Sequence, residues 1–317
     1  MGSSIARVRT AGEEAPLFAL FGHVDEIGLI VTHVDDNGIL FFRGLGGWTA
    51  EVLVGQRVEI LARRGRVQGV IQAKRDVRRR EEKKTVEMRH LHLDIGAHDR
   101  DDALAAVRLG DPAVLAPAPV SLLNGRLMSR ALDNRLGAYI ALEVARRVAA
   151  AGDARCNVAA AATVQEEVGD FMGARTTAFA LRPDLAIAVD VTGGTDVPGG
   201  EPGEQGEQRL GAGASLLRGP GGDPRIFELL RDTADAEGIR WCVEVTQAGR
   251  TRTPTPCSCR AQEFAPASCR FRRATCTPQA RSWTPATWRR ASPCSRPSPA
   301  ASTRPSGSRF PAASLET

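Results

Sequence analysis

The sequence predicts an α/β fold, in which helices flank a mixed, largely parallel sheet and a β-rich domain is inserted into it. The segments "NVAAAATV" (157–164) and "LAIAVDVT" (185–192) are almost wholly apolar, as strands covered on both faces are. Helical patterns alternate with them, which is typical of α/β proteins. A stretch of short strands and turns at 33–121 interrupts this pattern. The prediction is therefore a discontinuous domain (1–32 and 122–249) around an insertion (33–121).

The elements before residue 122 are mainly strands. Asn37-Gly38 is a strong hairpin signal, and alternation of apolar and polar residues around Gly65 indicates two further strands. In order, the predicted segments are a buried strand at 17–24, a hairpin at 26–42, strands within 56–73, a strand at 91–97 and a short helix from about Asp99 to Leu109.

The elements after residue 122 alternate between helix and strand. "DNRLGAYIALEVARRVAAAG" (133–152) repeats apolar residues every four positions from Leu136 to Val148 and ends at Gly152, as a helix does. "DPRIFELLRDTADAEG" (223–238) begins with Asp223 as the N-cap and Pro224 at the first helical position. A last strand is predicted at 239–246.

The segment from residue 250 onward differs in composition. Residues 250–317 hold twelve Arg and only two acidic residues, a net charge of 12 − 2 = +10, whereas the chain as a whole has a net charge of +5. The body before it is therefore acidic, which gives no electrostatic footprint for nucleic-acid binding. Five of the seven Cys also lie in this tail, and a body nearly free of Cys suits a reducing compartment. No signal or membrane span is recognisable, so we expect a cytoplasmic protein that binds neither nucleic acid nor membrane.

Four segments place ligand-type side chains at or near the ends of predicted elements. They are "GHVDEIG" with His23, Asp25 and Glu26, "RALDNRLG" with Asp133, "VQEEVGD" with Glu166 and Glu167, and "AVDVTGG" with Asp190. Each has an ordinary interpretation, such as a solvated His23, a helix N-cap at Asp133 or a solvated turn at Glu166. An unpaired carboxylate ending a buried strand is costly, however. Because ligand sites in open α/β sheets form at the carboxyl ends of strands, the four segments together favour one shared site.

One imidazole and several carboxylates form the ligand set of a hydrolase with two metal ions. Such a pair of cations needs a shared carboxylate, terminal ligands on each side, and one further carboxylate that takes a proton from water. The adjacent Glu166 and Glu167 can divide two of these roles, because successive side chains point in different directions.

The motifs "HVDEIG", "SRALDNRLGA", "ATVQEEVGDFMGA" and "IAVDVT", in this order, closely resemble the tetrahedral aminopeptidase family, which includes glutamyl and deblocking aminopeptidases. The resemblance covers about residues 17–246. It implies a phosphorylase/peptidase-like catalytic domain and an inserted PDZ-like or barrel-like dimerisation domain. It also implies dimers that assemble into dodecameric shells, peptide substrates, and two divalent ions per subunit, with zinc expected and cobalt or manganese as alternatives.

The resemblance also implies a role for each site residue. His23 and Asp190 would bind one metal, Glu167 the other, and Asp133 would bridge both. Glu166 would be the general base. Asp25 would orient the His23 imidazole and is counted with Glu166 as catalytic.

The resemblance leaves one expected ligand unmatched. The family supplies a second metal-binding His near its C-terminus, whereas this chain has no His after residue 98 and only 22 residues before His23. Reading the coding DNA one base earlier from about residue 250 permits the family's C-terminal pattern, His included. We therefore interpret 250–317 as a frameshifted or disordered tail. Resequencing the DNA near codon 248 tests this interpretation.

The predicted function is a metal-dependent aminopeptidase in which Glu166 is the base for a metal-activated water. The first alternative is a catalytically impaired relic of that family, which would bind fewer than two metal ions. The second is an endoglucanase-type glycosidase using Glu166 and Glu167, although its two carboxylates would have to lie ~5–10 Å apart across a sugar.

Overall fold

A computed structural model of the chain describes residues 2–74, 85–116, 118–169 and 171–245, together with the backbone of residues 267–272. The strands are β1 (Ser4–Val8), β2 (Leu17–His23), β3 (Gly28–Val34), β4 (Leu40–Leu45), β5 (Arg57–Ala62), β6 (Gly65–Ala73), β7 (Leu91–Asp94), β8 (Pro112–Leu115), β9 (Val120–Leu122), β10 (Arg126–Met128), β11 (Asn157–Thr163), β12 (Leu185–Thr192), β13 (Ala214–Arg218), β14 (Trp241–Val245) and β15 (Ala267–Arg272). The helices are α1 (Arg100–Ala106), α2 (Leu132–Ala151), α3 (Met172–Leu181), α4 (Pro202–Gln205) and α5 (Pro224–Ala236).

The larger sheet has seven strands in the order β1-β11-β2-β12-β15-β13-β14. The central pairs β11–β2, β2–β12 and β12–β15 are parallel, whereas β1–β11 and β15–β13 are antiparallel. The prediction of a mixed, largely parallel sheet is confirmed. The edge strand β1 was not predicted, because its sequence "SIARV" is short and largely exposed.

Helices cover both faces of this sheet. On one face, Leu136, Val144 and Val148 of α2 pack against apolar residues of β2, β11 and β12. On the other face, Ala174 and Leu181 of α3 pack against the alanine-rich side of β11 and its neighbours. The result is a three-layer α/β/α domain, in which the apolar strands are covered on both faces as their composition predicts.

The inserted segment forms a closed barrel of strands β3-β4-β7-β6-β5-β8. The predicted hairpin at Asn37-Gly38 is present: Gly38 has a φ of 77°, and the Asp35 side chain accepts hydrogen bonds from the backbone N–H groups of Asn37 and Ile39. The barrel strands extend from Gly28 to Leu115 and enclose their own apolar core. Strand β3 therefore belongs wholly to the barrel, whereas the predicted boundary at residue 33 divides it.

The C-terminal tail contributes one strand to the sheet. The sequence predicts a frameshifted or disordered tail at 250–317. Within it, residues 267–272 form β15, which pairs with β12 on one side and β13 on the other, because backbone groups between two strands find partners whatever the side chains are. The rest of the tail and residues 75–84, which belong to the basic segment "KRDVRRREEKK" (74–84), lie outside the described residues, and the frameshift remains a prediction. Among the helices of the described ranges, none is both long and apolar enough to cross a membrane.

Candidate active site

The predicted ligand residues meet at one edge of the seven-stranded sheet. His23 is the last residue of β2, and β2 lies between β11 and β12. Glu166 and Glu167 lie in the turn after β11, Asp190 lies near the end of β12, and Asp133 lies at the start of α2. Three neighbouring parallel strands and one helix thus deliver all five side chains to the same place.

The distances around the His23 imidazole define the centre of the site. Its Nε2 atom lies 3.2 Å from Asp133 Oδ1, 3.6 Å from Glu166 Oε2 and 3.8 Å from Asp190 Oδ1. The His23 side chain is only 4% exposed. Two triads, His23–Glu166–Glu167 and His23–Asp133–Asp190, each have ligand atoms within 4.8 Å of one another.

The clustered carboxylates give the site a strong negative field. Burial, together with the charges of Asp190, Glu167 and Asp133, raises the pKa of Glu166 to about 8, although the nearby His23 lowers it. Burial alone would lower the pKa of His23, but hydrogen bonds with Asp133 and Asp25 and the charges of Asp190 and Glu166 outweigh it and raise that pKa to about 11. Imidazole and carboxylate oxygens are ligands that zinc accepts. The residues therefore fit one or more divalent cations, which would offset the repulsion among the carboxylates.

Two glycines allow α2 to approach the sheet closely enough to bring Asp133 beside His23. A Cβ atom at Gly22 would lie 2.2 Å from the backbone nitrogen of Ala138, and a Cβ atom at Gly137 would lie 2.3 Å from the carbonyl oxygen of Val189. The buried Asn134 amide fastens the same contact. It donates to the Val189 carbonyl at 2.8 Å and accepts from the Gly137 N–H at 2.8 Å. Sequence reasoning missed these residues, although a glycine inside a helical pattern is a recognised sign of a packing requirement.

Asp25 contacts both the imidazole and the turn that carries the two glutamates. Its carboxylate accepts hydrogen bonds from the backbone N–H groups of Glu166, at 3.2 Å, and Glu167, at 3.1 Å. The His23 Nδ1 atom lies 3.1 Å from the main-chain carbonyl oxygen of Asp25 and 3.5 Å from its Oδ1 atom. Burial would raise the pKa of the Asp25 carboxyl, but these hydrogen bonds lower it overall.

Glu26 is paired with arginines beside Asp133. Its Oε1 atom accepts hydrogen bonds from Arg130 and, at 3.2 Å, from Arg135. These arginines lie on either side of Asp133 in the sequence. Glu26 therefore links the loop after β2 to the start of α2, a contact that its position next to Asp25 did not reveal.

Comparison with known proteins places the chain in one family. The family model described as M42 glutamyl aminopeptidase matches residues 2–255. The chain belongs to the M42 glutamyl aminopeptidase family. Its members are metal-dependent peptidases, and this chain is accordingly a metal-dependent aminopeptidase.

Individual M42 relatives match most of the chain. The lysyl aminopeptidase of Pyrococcus furiosus is 30% identical over 250 residues, which cover 77% of this chain and 69% of that protein. The crystal structure of a TET aminopeptidase from Thaumarchaeota archaeon SCGC AB-539-E09 is 31% identical with a TM-score of 0.77, covering 86% of this chain and 77% of that one. The TET1 peptidase of Pyrococcus horikoshii can assemble into a tetrahedron or a large octahedral shell. Its structure aligns with a TM-score of 0.72 and 27% sequence identity, over 85% of this chain and 78% of the TET1 chain.

Proposed function

We propose that this M42 peptidase removes N-terminal residues from peptides with Glu166 as its general base and with two divalent ions held by His23, Asp133, Glu167 and Asp190. The observation that carries the proposal is the pair of triads that share His23. One triad contains Asp133 and Asp190, and the other contains the two adjacent glutamates.

The ligand assignment follows the family resemblance, and the two triads support it. His23 and Asp190 would hold one ion, Glu167 would hold the other, and Asp133, whose Oδ1 atom lies 3.2 Å from His23 Nε2, would be shared between them. When bound, the ions would supply an activated water and polarise the carbonyl of the scissile peptide bond. Zinc is the expected metal, and cobalt or manganese would also suit mixed imidazole and carboxylate ligands.

Glu166 is suited to move protons in this reaction. Its Oε2 atom faces His23 Nε2 at the centre of the site, and the side chain is 16% exposed. It would take a proton from the attacking water while the new carbon–oxygen bond forms. It would then return that proton to the leaving amine when the carbon–nitrogen bond breaks.

Two matched substitutions on one turn test these roles. Glu166→Gln should lower kcat by about 10²–10⁴-fold, the range of general acid–base catalysis, and should leave the metal content unchanged. Glu167→Gln should lower the metal content as well as the activity. Peptidase activity retained by Glu166→Gln would refute the base assignment, and metal lost from Glu166→Gln would make Glu166 a ligand instead.

Metal analysis of the purified chain separates the active enzyme from an impaired relic. Within the described residues, the cluster contains one imidazole, so the site of Glu167 depends on fewer protein ligands than the site of Asp190. About two ions per chain would support the proposal. One ion or none, together with no peptidase activity, would support the relic.

The site geometry argues against the glycosidase alternative. Glu166 and Glu167 each place a carboxylate oxygen within 4.8 Å of a His23 ring nitrogen, so both face one cluster of ligand atoms rather than opposite sides of a sugar, as a glycosidase pair must. Hydrolysis of a glucan in the presence of a chelator would be required to revive it.

We also propose that the protein is a cytoplasmic homo-oligomer built from dimers, with the barrel of β3–β8 as the dimerisation domain. The shells formed by the Pyrococcus horikoshii TET1 peptidase support the assembly. Light scattering of the purified chain tests it, and a monomer at micromolar concentration would contradict it.

A further inference from the structure

The loop after β2 and the turn after β11 meet through the side chain of Asp25. We propose that the Asp25 carboxylate is a positioning group for the Glu166–Glu167 turn, and that the main-chain carbonyl of Asp25 is what orients the His23 imidazole. The inference rests on the proposed roles of His23, Glu166 and Glu167. It changes the role of Asp25, which the family resemblance assigns to the imidazole alone.

The turn that carries the two glutamates has a strained backbone. Gln165, directly before Glu166, has a φ of 60°, in the left-handed region that residues with a Cβ atom enter at a cost. Such a conformation persists only where the surrounding structure enforces it. One restraint comes from the Gly173 N–H, which donates to the Val164 carbonyl oxygen at 3.1 Å. Another comes from the two N–H groups that donate to Asp25.

The Asp25 carboxylate is engaged by the turn with both of its oxygen atoms. Oδ1 accepts from the Glu166 N–H at 3.2 Å, and Oδ2 accepts from the Glu167 N–H at 3.1 Å. Hydrogen bonds to an ionised acceptor are stronger than those between neutral groups. A single side chain from the β2 loop thus fixes the backbone of both the proposed base and its neighbouring ligand.

The imidazole has a nearer acceptor than this carboxylate. His23 Nδ1 lies 3.1 Å from the Asp25 carbonyl oxygen, against 3.5 Å from Oδ1. A neutral imidazole carries a single N–H, and the acceptor of that N–H decides which nitrogen is left to bind a metal. Since the carbonyl belongs to the main chain, any substitution at position 25 retains it. The structure therefore separates the two roles of Asp25 between its side chain and its backbone.

Hydrogen exchange of the metal-free chain tests the carboxylate role. In Asp25→Ala, the Glu166 and Glu167 amides should exchange about 10–100-fold faster, the equivalent of losing one hydrogen bond to a charged group at each amide. Asp25→Asn keeps one oxygen acceptor and should release mainly one of them. The matched control is Asp35→Ala, because Asp35 also accepts two backbone N–H groups, in the hairpin at Asn37. This control should speed exchange in the hairpin and leave the Glu166–Glu167 turn unchanged.

The His23 tautomer tests the carbonyl role. The chain has five His, so histidine-selective ¹⁵N NMR of the zinc-loaded protein resolves His23, with His23→Gln for assignment. The proton should stay on Nδ1 in both Asp25 variants. Unchanged exchange at Glu166 and Glu167, or a proton that leaves Nδ1 in Asp25→Ala, would overturn the proposal. The exchange measurement needs neither metal nor turnover, so failure of the proposed function, seen as absent zinc or absent peptidase activity, stays distinguishable.

Discussion

The substitution Gly137→Ala, at the contact between α2 and the sheet, has two opposing effects on the free energy of unfolding. Helix propensity alone predicts that Gly137→Ala stabilises the chain by about 0.8–1 kcal/mol, because glycine inside a helix is costly. The contact predicts the reverse, since the new Cβ atom would lie 2.3 Å from the Val189 carbonyl oxygen and 2.4 Å from Asn134 Oδ1. Overpacking of this kind costs about 1–3 kcal/mol. A carbonyl oxygen of the central strand β12 cannot move aside as the end of a flexible side chain can.

We therefore expect Gly137→Ala to lower the free energy of unfolding by up to about 2 kcal/mol, the upper overpacking cost less the gain in propensity. Tm should fall by several degrees. Because Asp133 lies only four residues before Gly137, at the start of α2, a displaced helix also shifts Asp133 relative to His23. Zinc affinity should therefore fall with stability. Thermal unfolding of the metal-free protein and zinc titration measure the two effects separately.

The control for this experiment is Gly12→Ala, because nothing lies within 4 Å of a Cβ atom at Gly12. Its effect should stay within about 0.5 kcal/mol, as for surface substitutions. The reasoning is refuted if Gly137→Ala unfolds at the same or a higher temperature than the wild-type chain and binds zinc equally well. That outcome would mean that propensity outweighs the contact.

Three further predictions concern the metal site. The raised pKa values of His23, about 11, and Glu166, about 8, mean that both groups hold a proton in the metal-free chain at pH 7. Zinc binding should therefore release about one to two protons, and it should weaken as pH falls. Calorimetry in buffers of different ionisation enthalpy measures the number of protons released. If no proton is released, His23 and Glu166 do not hold the protons that these pKa values assign to them. Removing zinc with a chelator should abolish peptidase activity. It should also lower the free energy of unfolding by about 2.7 kcal/mol relative to protein at a zinc concentration 100 times Kd. Unfolding curves with and without chelator measure this loss, and identical curves would argue against a bound ion. Glu26→Gln weakens the pairing with Arg130 and Arg135 and should lower the zinc affinity by about 10-fold, the lower end for residues that support metal ligands. Competition with a zinc indicator measures the affinity. The control Glu59→Gln, which removes a surface ion pair with Arg66 in the barrel, should leave the zinc affinity unchanged.

Much of the fold follows from local patterns in the sequence. The apolar runs of β11 and β12, the four-residue repeat of α2 and the Asn37-Gly38 turn each predict an element that the structure contains. These signals are strong because burial on one face or on both faces dictates which positions are apolar. Elements with weaker patterns were missed. Strand β1 is short and largely exposed. Strand β15 depends on backbone pairing with its neighbours, which the pattern of its sequence does not predict.

The sequence by itself also identified the side chains that meet at the site, because imidazole and carboxylate side chains at the ends of apolar strands are recognisable wherever the strands lie. Only the tertiary structure decided how these side chains are held. The approach of Gly137 to Val189, the Asp25 contact with the Glu166–Glu167 turn and the pairing of Glu26 with Arg130 join residues more than fifty positions apart. Such contacts depend on strand order and on the distance between layers. Both are fixed by packing of the whole domain, which a local pattern of residues cannot encode.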